Sequence, residues 1–192
     1  MRRTVRKILY YVQKPCRRVI SSINPNTLIN PRLEYKNYFL SFPHCVFKIE
    51  YDHDEKNKKF NLIELNFFLS NGKKLYIPPI LNSSSGRICC PKNIKGNKKH
   101  KSLKDFLNFI VSGFWSSKFS DDIECDIIDY EDSNKKIVDY DYWQRKTKKE
   151  PNWIPSYRCL VEYLYDDDEF QKAIKDIKEN GLDYIGNKKR QC

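Results

Sequence analysis

Two runs of alternating residues restrict what this chain can fold into more than anything else in it. Cys45, Phe47, Ile49 and Tyr51 alternate with Lys48 and Glu50, and Ile63, Leu65, Phe67 and Leu69 alternate with Glu64 and Asn66. Successive side chains of a strand point to opposite faces, so each run reads as a strand with one buried face. Pro43 has no N–H for a ladder and sets the start of the first strand, within 38–51, at an edge or bulge. The charged stretch 52–59 reads as a hairpin loop. Asn71-Gly72 tolerates positive φ at both positions and reads as a tight turn into a third strand at 73–77. Pro78-Pro79 ends that strand. Strands near 45–51, 62–69 and 73–77 thus read as an antiparallel meander in sequential order.

Helical spacing takes over downstream. Ser102 has the chemistry of an N-cap, Asp105 lies three residues on, and Leu103, Phe106, Leu107, Ile110 and Phe114 form one stripe. A helix over 102–115 is expected to pack on the meander by that stripe, with Gly113 marking either its close or a tight packing contact. Residues 121–141 hold nine acids against two Lys and read as a solvated face. The stretch 142–150 interleaves aromatics with cations, and 156–165 and 166–180 read as two further helices, the second followed by Gly181. The fold class is α+β, an antiparallel β-meander with packed helices.

Charge divides the chain differently. Of a formal +11, residues 1–33 hold eight Lys or Arg and no acid, whereas the rest balances 28 basic against 25 acidic residues. The expected organisation is a basic N-terminal arm at 1–33, a domain at 34–180 and a basic flexible tail at 181–192. Val5, Ile8, Leu9 and Val12 fall at helical spacing, which predicts a short amphipathic helix up to Pro15; Asn24-Pro25-Asn26 and Asn30-Pro31 read as a linker. A packed or solvated arm, an electrostatic tether and an organellar presequence all fit this composition. As a tether, Arg2, Arg3, Arg6, Lys7, Lys14, Arg17 and Arg18 would meet a polyanion, either nucleic acid or an acidic protein face. Removing residues 1–23 is then expected to remove most binding and leave the domain folded; if the arm docks on the domain, removal lowers stability instead.

No apolar run approaches the roughly 20 residues needed to span a bilayer, and 32% charged residues argue for a soluble protein. The seven cysteines are odd in number and irregular in spacing, without a C-x-x-C pair or an apolar leader before them, and read as free thiols in a reducing compartment. His44, His53 and His100 are too scattered to define a zinc site, so neither metal nor cofactor is expected.

One thiol has a distinctive setting. Pro78-Pro79 leads into Asn82, Gly86, Ile88 and Cys89, and Phe114, Trp115, Ser117 and Phe119 follow beyond the helix. These residues resemble the active-site segment of ubiquitin-conjugating enzymes, in the phage and mobile-element form of PRTRC-system protein B, over about residues 38–122. The resemblance implies a ubiquitin-conjugating-enzyme-like fold, Cys89 as thioester carrier, Asn82 as oxyanion donor and a ubiquitin-like protein partner. Leu81 stands where the family has Pro, and the loop from Asn82 to Gly86 is a residue shorter, which turns the expectation toward a non-catalytic scaffold. Its setting would be the cytoplasm of a bacterium or an infected host cell, or a virion. The competing reading is a structural or nucleic-acid-associated protein, such as a virion component, working through the basic arm. An exposed Cys89 favours the first reading and a buried one the second.

Overall fold

The computed structural model describes residues 4–23, 35–54, 56–70, 75–76, 80, 83–84, 87–88, 94, 97–119, 140–151, 175 and 185–189. They form a mixed α+β fold. In chain order the elements are β1 (Thr4–Gln13), β2 (Cys16–Ile23), β3 (Tyr35–Phe42), β4 (His44–Asp54), β5 (Lys59–Ser70), β6 (Leu75–Tyr76), β7 (Ser83–Ser84), β8 (Arg87–Ile88), β9 (Asn97–Lys99), α1 (Leu103–Trp115), β10 (Lys118–Phe119), α2 (Tyr140–Lys149) and β11 (Ile185–Lys189). The larger sheet runs β11-β1-β4-β5-β8-β7, with β6 and β9 also pairing β5, and the smaller runs β10-β2-β3. Every pair in the larger sheet is antiparallel, as is β2 with β3; β10 joins β2 in parallel.

One hairpin register generates both sheets. β1 and β4 pair from Thr4↔Asp54 to Gln13↔Cys45, and β2 and β3 pair from Cys16↔Phe42 to Ile23↔Tyr35. Two residues lie between Gln13 and Cys16, and two between Phe42 and Cys45, so the count is unbroken and sets Pro15 opposite Pro43. Neither proline can donate to the ladder. Both strands are interrupted at this rung, and the ribbon bends there.

The meander is present, with β4, β5 and β6 adjacent and antiparallel. Cys45, Phe47, Ile49 and Tyr51 are buried as their alternation requires, and so are Leu65, Phe67 and Leu69. The alternation slips at Ile63: the register passes from Glu50↔Glu64 to Tyr51↔Leu62, a β-bulge that turns Leu62 into the core in place of Ile63. Asn71-Gly72 lies outside the described residues, but the Leu69↔Tyr76 and Ser70↔Leu75 pairs flank it.

Helix α1 starts as its sequence requires. The Ser102 hydroxyl accepts from the Asp105 backbone N–H at 3.1 Å, which satisfies one orphan donor of the first turn. Its buried face, Phe106, Leu107, Ile110, Val111 and Phe114, lies on the larger sheet, where the Phe114 ring sits 4.7 Å from Phe67 and 5.1 Å from Phe47. Gly113 is a packing glycine, because a Cβ there would collide with the buried Ile94 side chain. Helix α2, not expected from the sequence, buries Tyr140, Trp143 and Thr147 and packs on β3.

Both termini depart from expectation. The helix expected over residues 5–12 is strand β1, and the stretch read as an arm is, over residues 4–23, a strand of each sheet. Ile8, Leu9, Tyr10 and Val12 are all buried, as befits a central strand between β11 and β4. The tail read as flexible holds β11, paired with β1 from Lys7↔Lys189 to Tyr11↔Ile185. The helices expected at 156–165 and 166–180 and the acidic face at 121–141 fall almost wholly outside the described residues; at Lys175 the backbone is helical.

Two outcomes test this architecture. Deleting residues 1–23 removes the partner of both β4 and β11, so the truncated protein should lose its cooperative thermal transition; an intact transition would return the segment to the status of an arm. Gly113→Ala gains up to about 1 kcal/mol of helix propensity but overpacks against Ile94 at a cost of about 1–3 kcal/mol. Denaturant titration should therefore show net destabilisation.

Candidate functional site: the outer face of the small sheet and the joint beside it

The period of two divides β2 and β3 between two environments. Ile20, Ser22, Tyr38, Leu40 and Phe42 face inward and are buried. Arg17, Val19 and Ser21 of β2 face outward with Tyr35, Asn37 and Phe39 of β3. Val19 is 56% exposed, Tyr35 46% and Phe39 44%, and Tyr142 of α2, at 48%, is the one other exposed large apolar side chain among the described residues. Both exposed rings of the sheet face carry a cation: the Arg17 guanidinium lies 4.8 Å from the Phe39 ring centre, and the Lys118 ammonium 5.1 Å from that of Tyr35. No acid occurs in β2, β3 or β10.

The free edge of β3 is closed by α2. The Phe39 backbone N–H donates to Gln144 Oε1 at 2.7 Å, Trp143 Nε1 donates to the Ser41 carbonyl at 3.2 Å, and Lys36 pairs with Asp141 at 2.8 Å. An open edge invites another strand; here side chains occupy it, so the sheet is open by its face.

On the inner side, at the bend, Gln13 Oε1 accepts from Trp115 Nε1 at 3.0 Å and from Arg18 Nη2 at 3.4 Å. The Arg18 guanidinium lies 4.6 Å from the Trp115 ring centre, while its Nε is buried without a partner among the described residues. A cavity of about 390 Å³ opens beside these three side chains, next to Asn108 and Ser112.

A second cavity, of about 320 Å³, lies where β1, β4 and β5 meet the start of α1. Lys7, Lys58 and Lys101 line it with His53, Tyr51 and Phe60; among the described residues no acidic one does. His53 stacks on Phe60 at 4.4 Å, and burial pushes the Tyr51 hydroxyl up to about 12, so it stays neutral.

The cations singled out in the sequence do not form one patch. Arg6 lies 3.5 Å from Glu50 and 3.6 Å from Asp52, whereas its neighbour Lys7 lines the 320 Å³ cavity. Lys14 is exposed at the bend, Arg17 points outward onto Phe39 and Arg18 inward onto Trp115. Arg2, Arg3, Asn82 and Cys89 lie outside the described residues; the two residues before Cys89 form β8, whose Arg87 pairs with Asn66. Tyr35, Phe39, Val19 and Lys118 were missed. Their signal was the alternation of Tyr38, Leu40 and Phe42, which puts Asn37 and Phe39 on the opposite face once the strand is extended back to Tyr35.

Among the described residues no helix is long and apolar enough to cross a membrane, and no group of three or more His, Cys, Asp or Glu side chains is placed to hold a metal ion. Trp115→Phe should keep the ring packing but lose the hydrogen bond to Gln13, destabilising the joint by about 1 kcal/mol in denaturant titration. No protein-family model, curated protein or solved structure matches this chain.

Proposed function

We propose that the chain is a nucleic-acid-associated protein that holds a single strand on the outer face of β2, β3 and β10. The observation that carries this reading is the pairing of each exposed ring on that face with a cation and no acid. Bases stack on aromatic rings and phosphates seek cations, so an aromatic face interleaved with Arg and Lys suits an unpaired strand. Phe39 and Tyr35 lie on one face four residues apart, roughly 13 Å along a strand, which separates two stacked bases by room for a linking nucleotide. Duplex nucleic acid keeps its bases inward and gains nothing from the rings.

Fluorescence anisotropy with labelled oligonucleotides tests the reading. Contacts from Arg17, Lys118 and Lys14 to about three phosphates give a slope of log affinity against log salt of about −2. Phe39→Ala should weaken binding by about 1–3 kcal/mol for a single strand and leave heparin, which has no bases, unaffected. Equal losses for heparin and oligonucleotide, or no loss for either, would reduce the face to general charge and overturn the proposal.

A second reading is favoured by chain order. β1, β4, β5 and β6 are antiparallel neighbours in that order across the larger sheet, and α1, which follows β7–β9 in the chain, packs on them. That order supports a ubiquitin-conjugating-enzyme-like fold of phage or mobile-element type, in which Cys89 is a thioester carrier or the domain a non-catalytic scaffold. Mass spectrometry after co-expression with neighbouring genes decides between them. A carrier gives a reducible adduct on Cys89 that Cys89→Ser converts to a stable ester, and a scaffold gives neither.

A further inference from the structure

At the end of β4 away from the bend, the period of two builds the cavity of about 320 Å³. Lys7 of β1 stands directly opposite Tyr51 of β4, and His53, two residues on, stands opposite Phe60 of β5, so these four side chains share one face. The residues between them take the other face, where Arg6 lies 3.5 Å from Glu50 and 3.6 Å from Asp52. Asp54 ends the strand with its carboxylate on Asn57, accepting from the backbone N–H at 3.2 Å and the side-chain amide at 2.7 Å. Alternation along residues 51–54 thus sends the rings into the cavity and the acids away from it.

Two more lysines reach the cavity from outside the sheet. Lys58 stands in the turn between β4 and β5 with φ at 50°, the one non-glycine residue in the left-handed region among those described. Asn or Gly suits such a position better, so turn chemistry does not account for a lysine there. Lys101 leads into α1, whose cap Ser102 and first residue Leu103 close the opposite wall. Three ammonium groups around one cavity repel one another, and an anion between them replaces that repulsion with attraction. The rest of the lining is flat and apolar. Phe106, Phe60 and His53 stack in turn, with ring centres 5.0 and 4.4 Å apart and planes within 17° and 14° of parallel. Of these rings, Phe60 and His53 line the cavity with Tyr51. Its volume is near the lower end of small-molecule sites, about 300–1,000 Å³, and leaves room for one compact ligand rather than a chain.

We propose that this cavity binds a nucleoside monophosphate, with its phosphate among Lys7, Lys58 and Lys101 and its base against His53, Phe60 and Tyr51. A phosphomonoester carries a charge of about −1.5 to −2 at neutral pH, which suits three converging cations better than a carboxylate does. The base meets the aromatic wall, a contact that inorganic phosphate cannot make. The same chemistry stands at the 5′-phosphorylated end of a nucleic-acid strand, so the occupant is a free nucleotide or such an end. This site belongs to β1, β4, β5 and the start of α1, and it stands apart from the outer face of β2, β3 and β10.

Adenosine 5′-monophosphate is the probe, titrated calorimetrically into the full-length protein beside adenosine and inorganic phosphate. The nucleotide should bind about tenfold more tightly than either, because each of those makes only part of its contacts. Lys58→Asn, which suits the left-handed turn, and Lys101→Gln should each weaken the nucleotide about tenfold and leave adenosine unchanged. Both positions are exposed, so a thermal midpoint like that of the wild type should show the fold intact. Lys148→Gln removes the same charge from an exposed position on α2 and should change nothing. A competing oligonucleotide then names the source. Displacement by its 5′-phosphorylated form and not by its 5′-hydroxyl form identifies a strand end, and displacement by neither identifies a free nucleotide. The proposal is overturned if the nucleotide shows no binding up to millimolar concentration, or if inorganic phosphate binds as tightly. It is equally overturned if both lysine variants keep the wild-type affinity, or if the two oligonucleotides displace the nucleotide equally well.

Discussion

Two prolines facing each other across one hairpin rung organise this molecule. A single proline in a ladder removes one donor and is tolerated at an edge or bulge. Pro15 and Pro43 stand opposite each other with the same register on either side, and both strands are interrupted there. The ribbon turns at that point. The larger sheet grows from its lower half by adding β5 and β11, and the small sheet from its upper half by adding β10. The open aromatic face and the Gln13–Arg18–Trp115 joint are both consequences of that turn.

Aromatic packing then holds the two halves in place. Phe47, on β4 just past the bend, contacts Phe67 at 4.9 Å, Phe114 at 5.1 Å and Trp115 at 6.1 Å. Phe42, on β3 just before it, contacts Trp115 at 5.0 Å and Trp143 at 5.4 Å. Trp115 therefore bridges the sheets at the end of α1, and Trp143 brings α2 onto the small one. Edge-to-face pairs of this kind add about 0.5–1.5 kcal/mol each beyond the area they bury. Enough of them converge here to fix the angle of the bend.

Alternation and capping were legible because they are local. The strands around Phe47 and Phe67, the Ser102 cap and the stripe on α1 follow from neighbours a few residues apart. What stayed hidden depends on distant partners. Val5, Ile8, Leu9 and Val12 satisfy helical spacing, yet the segment is a strand because β11, more than 170 residues away, pairs with one edge of β1 and β4 with the other. Ile63 fits the alternation of its strand until the bulge opposite Glu50 and Tyr51 displaces it. The charge of residues 1–33 suggested a separate arm, but in a strand neighbouring cations diverge, so Arg6 and Lys7 serve different surfaces. The reading of Cys89 and Asn82 rested on a short motif and lies outside the described residues.

Strand β2 shows how a period of two lets one short segment carry two chemistries. Arg17 points out to the Phe39 ring, where its charge is available to a phosphate. Arg18, the next residue, points in to Trp115 and Gln13, where its charge acts on the Cys16 sulfur on the same inner face. From sequence the two arginines look interchangeable, and composition counts them together. Their environments do not: an exposed guanidinium is screened by water and salt, whereas one held between an indole and a carboxamide acts in a medium that sustains its field. A substitution at Arg17 is thus felt in association with a polyanion, and one at Arg18 in the state of the thiol and the packing of the joint.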